Sequence, residues 1–134
     1  MCCSWPADRR ARGRSDRPRR APPLAPIAAG VDAGYGRYLA TIGGCADRHG
    51  QSFAGGPVPG APLECRWLDL TPAGEISGWA DADFITTMRT GINPAGKALD
   101  SFMPYRYIGR LTDDELRAIY LYLKTLPAMP IGAR

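Results

Sequence analysis

Between Gly50 and Gly78 the chain places Gly50, Gly55, Gly56, Pro57, Pro59, Gly60, Pro62, Pro72, Gly74 and Gly78. Glycine weakens the interior of a helix or strand, and proline breaks it. This stretch therefore reads as one long loop. Loops of that length in a compact domain usually serve a site or wrap around something. The whole chain of 134 residues holds 16 Gly and 13 Pro, which excludes a bundle of long helices. Regular structure is left to the segments on either side.

Those segments carry helical patterns. Tyr35, Tyr38, Leu39 and Ile42 recur at i, i+3, i+4 and i+7, the spacing of one helix face. They predict a short helix from Gly34, ended by Gly43–Gly44. Trp79 to Thr90 predicts a second helix, with Trp79, Phe84 and Met88 on successive turns. Asp81 and Asp83 suit its positive end, Arg89 its negative end, and Gly91 the position just beyond. Residues 92–110 read as another loop, with Pro94, Gly96 and Pro104. Then Thr112-Asp113-Asp114-Glu115 forms a capping box, with Leu111 and Leu116 in the staple positions. Leu116, Ile119, Tyr120 and Leu123 make one apolar stripe, and Pro127 closes the helix. No segment reads as a convincing strand, and there is no internal repeat. The expected fold is all-α, three to five short helices joined by long loops. Such helices bury little surface alone, so a filler under the loops is expected.

The net charge of +4 does not describe the folded part. Residues 1–20 hold Arg9, Arg10, Arg12, Arg14, Arg17, Arg19 and Arg20 against Asp8 and Asp16, a sum of +5, so the rest of the chain sums to −1. Residues 1–30 read as a basic, Pro-rich disordered tail or a misassigned start, 31–130 as the domain, and 131–134 as a short tail. Nucleic acid is not an expected partner of the domain. No apolar run is long enough for a membrane span. Pro22, Pro23 and Pro26 interrupt the only candidate signal-peptide core. Cys2, Cys3, Cys45 and Cys65 show no paired spacing, so no disulfide framework is expected.

The single histidine, His49, lies in Cys45-Ala46-Asp47-Arg48-His49-Gly50. In the haem-attachment motif C-x-x-C-H, two thiols bond to the haem and the adjacent His binds iron. Here the first Cys and the His are in place, and Arg48 stands at the second Cys. Met103-Pro104 follows 54 residues after His49. This order resembles the class I cytochromes c over roughly Val31 to Pro130. Gly36-Arg37-Tyr38-Leu39 is similar to the family's first helix, where a Gly and an aromatic allow a close crossing with the last helix. Leu70-Thr71-Pro72-Ala73-Gly74-Glu75-Ile76, Gly78-Trp79, Phe84 and Met88-Arg89-Thr90-Gly91 resemble the cytochrome c domains of bacterial respiratory and dehydrogenase chains. So does the ending from Leu111 through Leu126-Pro127.

The resemblance implies a haem whose iron is bound by His49 and Met103. It implies that Trp79 lies against the haem. It also implies a proline carbonyl accepting from the other ring nitrogen of His49, from Pro57 or alternatively Pro59. A His/Met pair raises the reduction potential relative to His/His. With both axial positions filled, the domain moves electrons and is not an enzyme. Implied partners are redox proteins, namely a dehydrogenase, a cytochrome complex or a terminal oxidase. The domain would be a monomer or a subunit of a larger complex, outside the cytoplasm and in the periplasm. Met88 reads as core, Met129 as a weaker ligand candidate, and Cys65 as a buried hydrophobe or a substitute for the missing thiol. Arg48 leaves three outcomes: a haem held by one thioether through Cys45, a haem held without covalent attachment, or a haem-free structural or interaction module.

Overall fold

The structure, a computed structural model, describes residues 25–59 and 65–133. Residues 1–24 of the expected tail, with Cys2 and Cys3, lie outside the described residues, as do Gly60 and Pro62. Among the described residues five helices occur, in the order α1 Ala33–Ile42, α2 Cys45–His49, α3 Asp81–Thr90, α4 Tyr105–Ile108 and α5 Asp113–Thr125. The mostly helical fold agrees with the all-α expectation. Two two-residue strands, β1 Gly56–Pro57 and β2 Arg66–Trp67, pair antiparallel between α2 and α3. They depart from the expectation of a loop without strands. This minimal ladder forms where the loop folds back on itself, with Gly56 opposite Trp67.

The frame is a close crossing of α1 and α5. A Cβ at Gly36 would overlap the Ala118 carbonyl oxygen of α5, so only glycine lets the two backbones approach this closely. The expected apolar face of α1 is consequently rotated. Gly36, Leu39 and Ala40 are buried, while Tyr38 is exposed and Ile42 is 64% exposed. The small residues face the crossing, and the larger ones flank it. Asp32 caps α1, its carboxylate accepting from the Tyr35 amide at 2.9 Å.

On α5 the capping box is formed in both directions. Thr112 Oγ1 accepts from the Glu115 amide at 3.2 Å, and the Thr112 amide donates to Glu115 Oε2 at 2.8 Å. The stripe of Leu116, Ile119, Tyr120 and Leu123 is buried and packs with Leu39, Phe53, Ile76, Phe84 and Met88. Met88 is thus core. The second expected helix begins at Asp81, two residues later than the pattern suggests. Trp79 belongs to the preceding turn, its amide donating to Ile76 O at 3.2 Å. Asp83 sets the start by accepting from the Ala80 amide at 2.9 Å. Arg89 near the end of α3 pairs with Asp113 at 2.7 Å and donates to Gly109 O.

The expected loop 92–110 contains α4. Pro104 precedes it and fits a first turn that needs no amide donor. The segment after α5 returns to the loop. Met129 N donates to Thr71 Oγ1 at 3.3 Å, Gly132 N to Ala54 O at 2.7 Å, and Ser52 Oγ to Ala133 O at 2.5 Å. Residues 131–133, expected as a tail, are fastened to residues 52–54.

Candidate functional site

Helix α2 carries the sequence motif. Gly44, in the left-handed conformation, lets the chain turn out of α1 directly into Cys45–His49. This five-residue helix has no counterpart in the sequence expectation, because it is too short to show periodicity. It places Cys45, Arg48 and His49 on one turn. Cys45 is half-buried and a free thiol. Burial raises its pKa, with the nearby Arg48 opposing that shift. The thiol is therefore neutral near pH 7.

His49 is 7% exposed. Its Nδ1 lies 2.9 Å from the carbonyl oxygen of Leu68. A carbonyl only accepts, so Nδ1 carries the proton and donates. Burial lowers the ring's pKa, the Leu68 contact opposes this, and Arg48 adds to it. The neutral ring follows, with a bare lone pair on Nε2. That atom is buried and has no hydrogen-bond partner among the described residues. A buried polar atom normally finds one. An oriented neutral imidazole with one nitrogen engaged and the other bare is the arrangement of a metal-bound histidine.

The acceptor corrects the sequence expectation. Pro57 and Pro59 are exposed, and neither carbonyl is the partner of His49. Pro57 sits on the far strand of the small ladder, opposite Arg66. The return strand continues past Trp67, and Leu68 presents its carbonyl to the ring. Sequence reasoning missed Leu68, and no side-chain signal marks a residue that acts through its backbone.

Met103 is half-buried against the core. It sits in a tight turn, its amide donating to Asp100 O at 2.9 Å and its carbonyl accepting from the Tyr105 amide at 2.8 Å. The segment is anchored to the end of α3 through the Leu99 amide, which donates to Gly91 O at 2.7 Å. Met103 lines a cleft of about 270 Å³ with Leu99, Pro104, Tyr105 and Tyr107. A larger cleft of about 460 Å³ lies between residues 68–75 and 128–131. Met129 lines that one, and it holds none of Cys45, His49, Trp79 or Met103. Size is a poor guide here, since the chemistry-bearing groups lie elsewhere. Trp79 is half-buried on the same core as Cys45 and Met103, and its carbonyl accepts from the Tyr120 hydroxyl at 2.5 Å. Cys65 is exposed rather than buried.

Arg48 is half-buried, and its Nε is also buried without a hydrogen-bond partner among the described residues. The residue standing where the motif calls for a second thiol thus brings polar surface into the site. Among the described residues, no helix is long and apolar enough to cross a membrane.

No family model matches the chain. It is 33% identical over 94 residues to the cytochrome c subunit of alcohol dehydrogenase (quinone) from Gluconobacter oxydans, a match covering 65% of this chain and 20% of that protein. It is 32% identical over 117 residues to the fructose dehydrogenase cytochrome subunit of Gluconobacter japonicus, covering 79% of this chain and 24% of the relative. Against the gluconate 2-dehydrogenase cytochrome c subunit of Pantoea cypripedii it is 32% identical over 94 residues, covering 65% and 21%. The chain spans about a fifth of the length of these relatives. Its short helices, long loops and His-bearing α2 thus form a small cytochrome c-like domain, with the cytochrome c subunits of dehydrogenases as its relatives.

Proposed function

We propose that this domain is an electron carrier that holds a c-type haem with His49 and Met103 as iron ligands, working beside a dehydrogenase. The observation that carries the reading is the bare, buried Nε2 of His49, opposite an Nδ1 already engaged by Leu68. The donor chemistry of three residues supports this reading. His49 offers a neutral nitrogen, Met103 a half-buried thioether, and Cys45 a half-buried thiol. A bound haem supplies the one-electron ferric/ferrous couple.

The protein's own part is positioning. His49 is held in one tautomer by Leu68, which also makes the ring a better donor. Met103 is held by the Asp100 turn and packs against the core. Cys45 is the one thiol of the motif, so attachment is through a single thioether. Trp79 serves as an apolar wall. The likeness to dehydrogenase subunits supports a dehydrogenase as the electron donor, with a cytochrome complex or terminal oxidase as acceptor and the periplasm as the compartment.

Replacing His49 by Ala abolishes the Soret band on this reading. Met103→Ala keeps the band and lets carbon monoxide bind the ferrous form, which the unsubstituted protein resists at neutral pH. A His49→Ala chain with an unchanged spectrum would overturn the proposal. A second reading is a haem-free interaction module. Arg48, with its buried unpartnered Nε in place of a thiol, is the observation that favours it. Under that reading the unsubstituted chain shows no Soret band.

A further inference from the structure

We infer that Gly55 is the positioning residue for His49, because it alone lets the Leu68 carbonyl reach Nδ1. Gly55 adopts φ +67°. A Cβ there would overlap Trp67 O and fall 2.7 Å from the carbonyl carbon and 2.8 Å from the carbonyl oxygen of Leu68. The atoms it would strike thus include the acceptor of the His49 ring.

Those atoms have little room to retreat. On one side the Gly56–Trp67 pairing of the ladder holds the two segments together. On the other, the Leu70 amide donates to Phe53 O at 2.8 Å. Leu68 is clamped between these ties, directly across from Gly55. Gly55 also binds the histidine's own backbone, its amide donating to His49 O at 2.9 Å. One residue therefore fixes the distance between the helix that carries the ring and the strand that carries its acceptor.

Two other left-handed glycines differ from it, whereas Gly91 is also crowded, but by the Tyr105 ring rather than by the acceptor of His49. Gly96 has φ +76° and open space within 4 Å of where a Cβ would stand, and Gly50 has φ +80° with its nearest atom 3.7 Å from that point. Both need the conformation, whereas Gly55 needs both the conformation and the space. The inference rests on the proposed function only for what His49 binds. The ring contact stands without it.

The test is nuclear magnetic resonance of the His49 ring in the full-length, isotope-labelled chain, comparing the unsubstituted protein with Gly55→Ala and Gly96→Ala. The unsubstituted chain should show a slowly exchanging Nδ1 proton. Gly55→Ala should speed its exchange by roughly two- to tenfold, the value of one lost hydrogen bond. Gly96→Ala should leave it unchanged. In the haem-loaded protein Gly55→Ala should also raise the reduction potential, since a ring that no longer donates from Nδ1 is a poorer ligand to ferric iron.

Gly55→Asn is the second variant if Gly55→Ala loses its helical circular dichroism. Asn tolerates left-handed φ but keeps a Cβ, so it should fold and still lose the protected proton. Retained protection in either folded variant overturns the inference. So does loss of helix in both, because Gly55 would then hold up the fold rather than the ring. An unsubstituted chain without a haem spectrum defeats the proposed function instead, and leaves the ring comparison intact.

Discussion

The α1–α5 crossing and the His49 loop are built by different means. In the crossing, side chains set the structure: an apolar stripe on α5, a capping box, and small residues on α1 that fit against it. In the loop, backbone groups set it. The His49 ring is oriented by a carbonyl, the loop is closed by amides at Gly55 and Leu70, and Phe53 takes a left-handed φ of 60°. Phe53 accepts that conformation while its ring packs edge-on against Tyr122 at 5.8 Å. The crossing supplies stability, and the loop gives up conformational freedom to aim one nitrogen.

The contrast can be broken from the side of the crossing. Leu116 is fully buried in the core, and Leu116→Ala should cost about 2–5 kcal/mol in chemical denaturation. Gly36→Ala should come next, at about 1–3 kcal/mol, because α1 and α5 must part to admit the methyl. A Gly36→Ala chain with unchanged stability would mean that the crossing is not tight. Thr112→Ala removes the α5 cap and should cost about 1 kcal/mol. In none of these three should the His49 Nδ1 proton lose its partner, if the two regions are independent.

The smallest effect concerns acid. The Arg117 guanidinium, 2.6 Å from Asp81, holds that carboxyl below its ordinary value of 3.8, with help from the Ala82 amide. A depressed folded-state pKa means that the ion pair stabilises the protein above that ordinary value. The contribution is lost as pH falls through the folded-state value. The pair is solvent-exposed, so salt should weaken it. Asp81→Asn should flatten the acid limb of the stability curve by a small amount. An unchanged limb would show that the pair contributes nothing.

This division also explains what can be read from the sequence. The Thr112–Glu115 box, the α5 stripe and Gly91 as the cap of α3 are local patterns, and each is legible. The Tyr35–Ile42 spacing does not give the orientation of α1, because it records apolar residues but not which face a close-packed neighbour selects; only the resemblance at Gly36 points to the close crossing. Helix α4 hides behind Pro104, and α2 is too short to show a period. In the site, Cys45, His49 and Met103 stand out by residue type. The His49 acceptor is Leu68 rather than Pro57 or Pro59, because the pairing depends on the path of the loop and every residue has a carbonyl. Arg48 is visible as a departure in the sequence, and the structure adds that its Nε is buried and unpartnered, as is Nε2 of His49.

The most direct measurement is the intact mass of the denatured chain together with its reduced absorption spectrum, after export in a host that matures c-type cytochromes. The expected result is a mass of one polypeptide plus one haem that survives denaturation, with a sharp low-spin spectrum in the native state. The bare polypeptide mass with no Soret band would contradict haem binding, and would show that Arg48 has ended it.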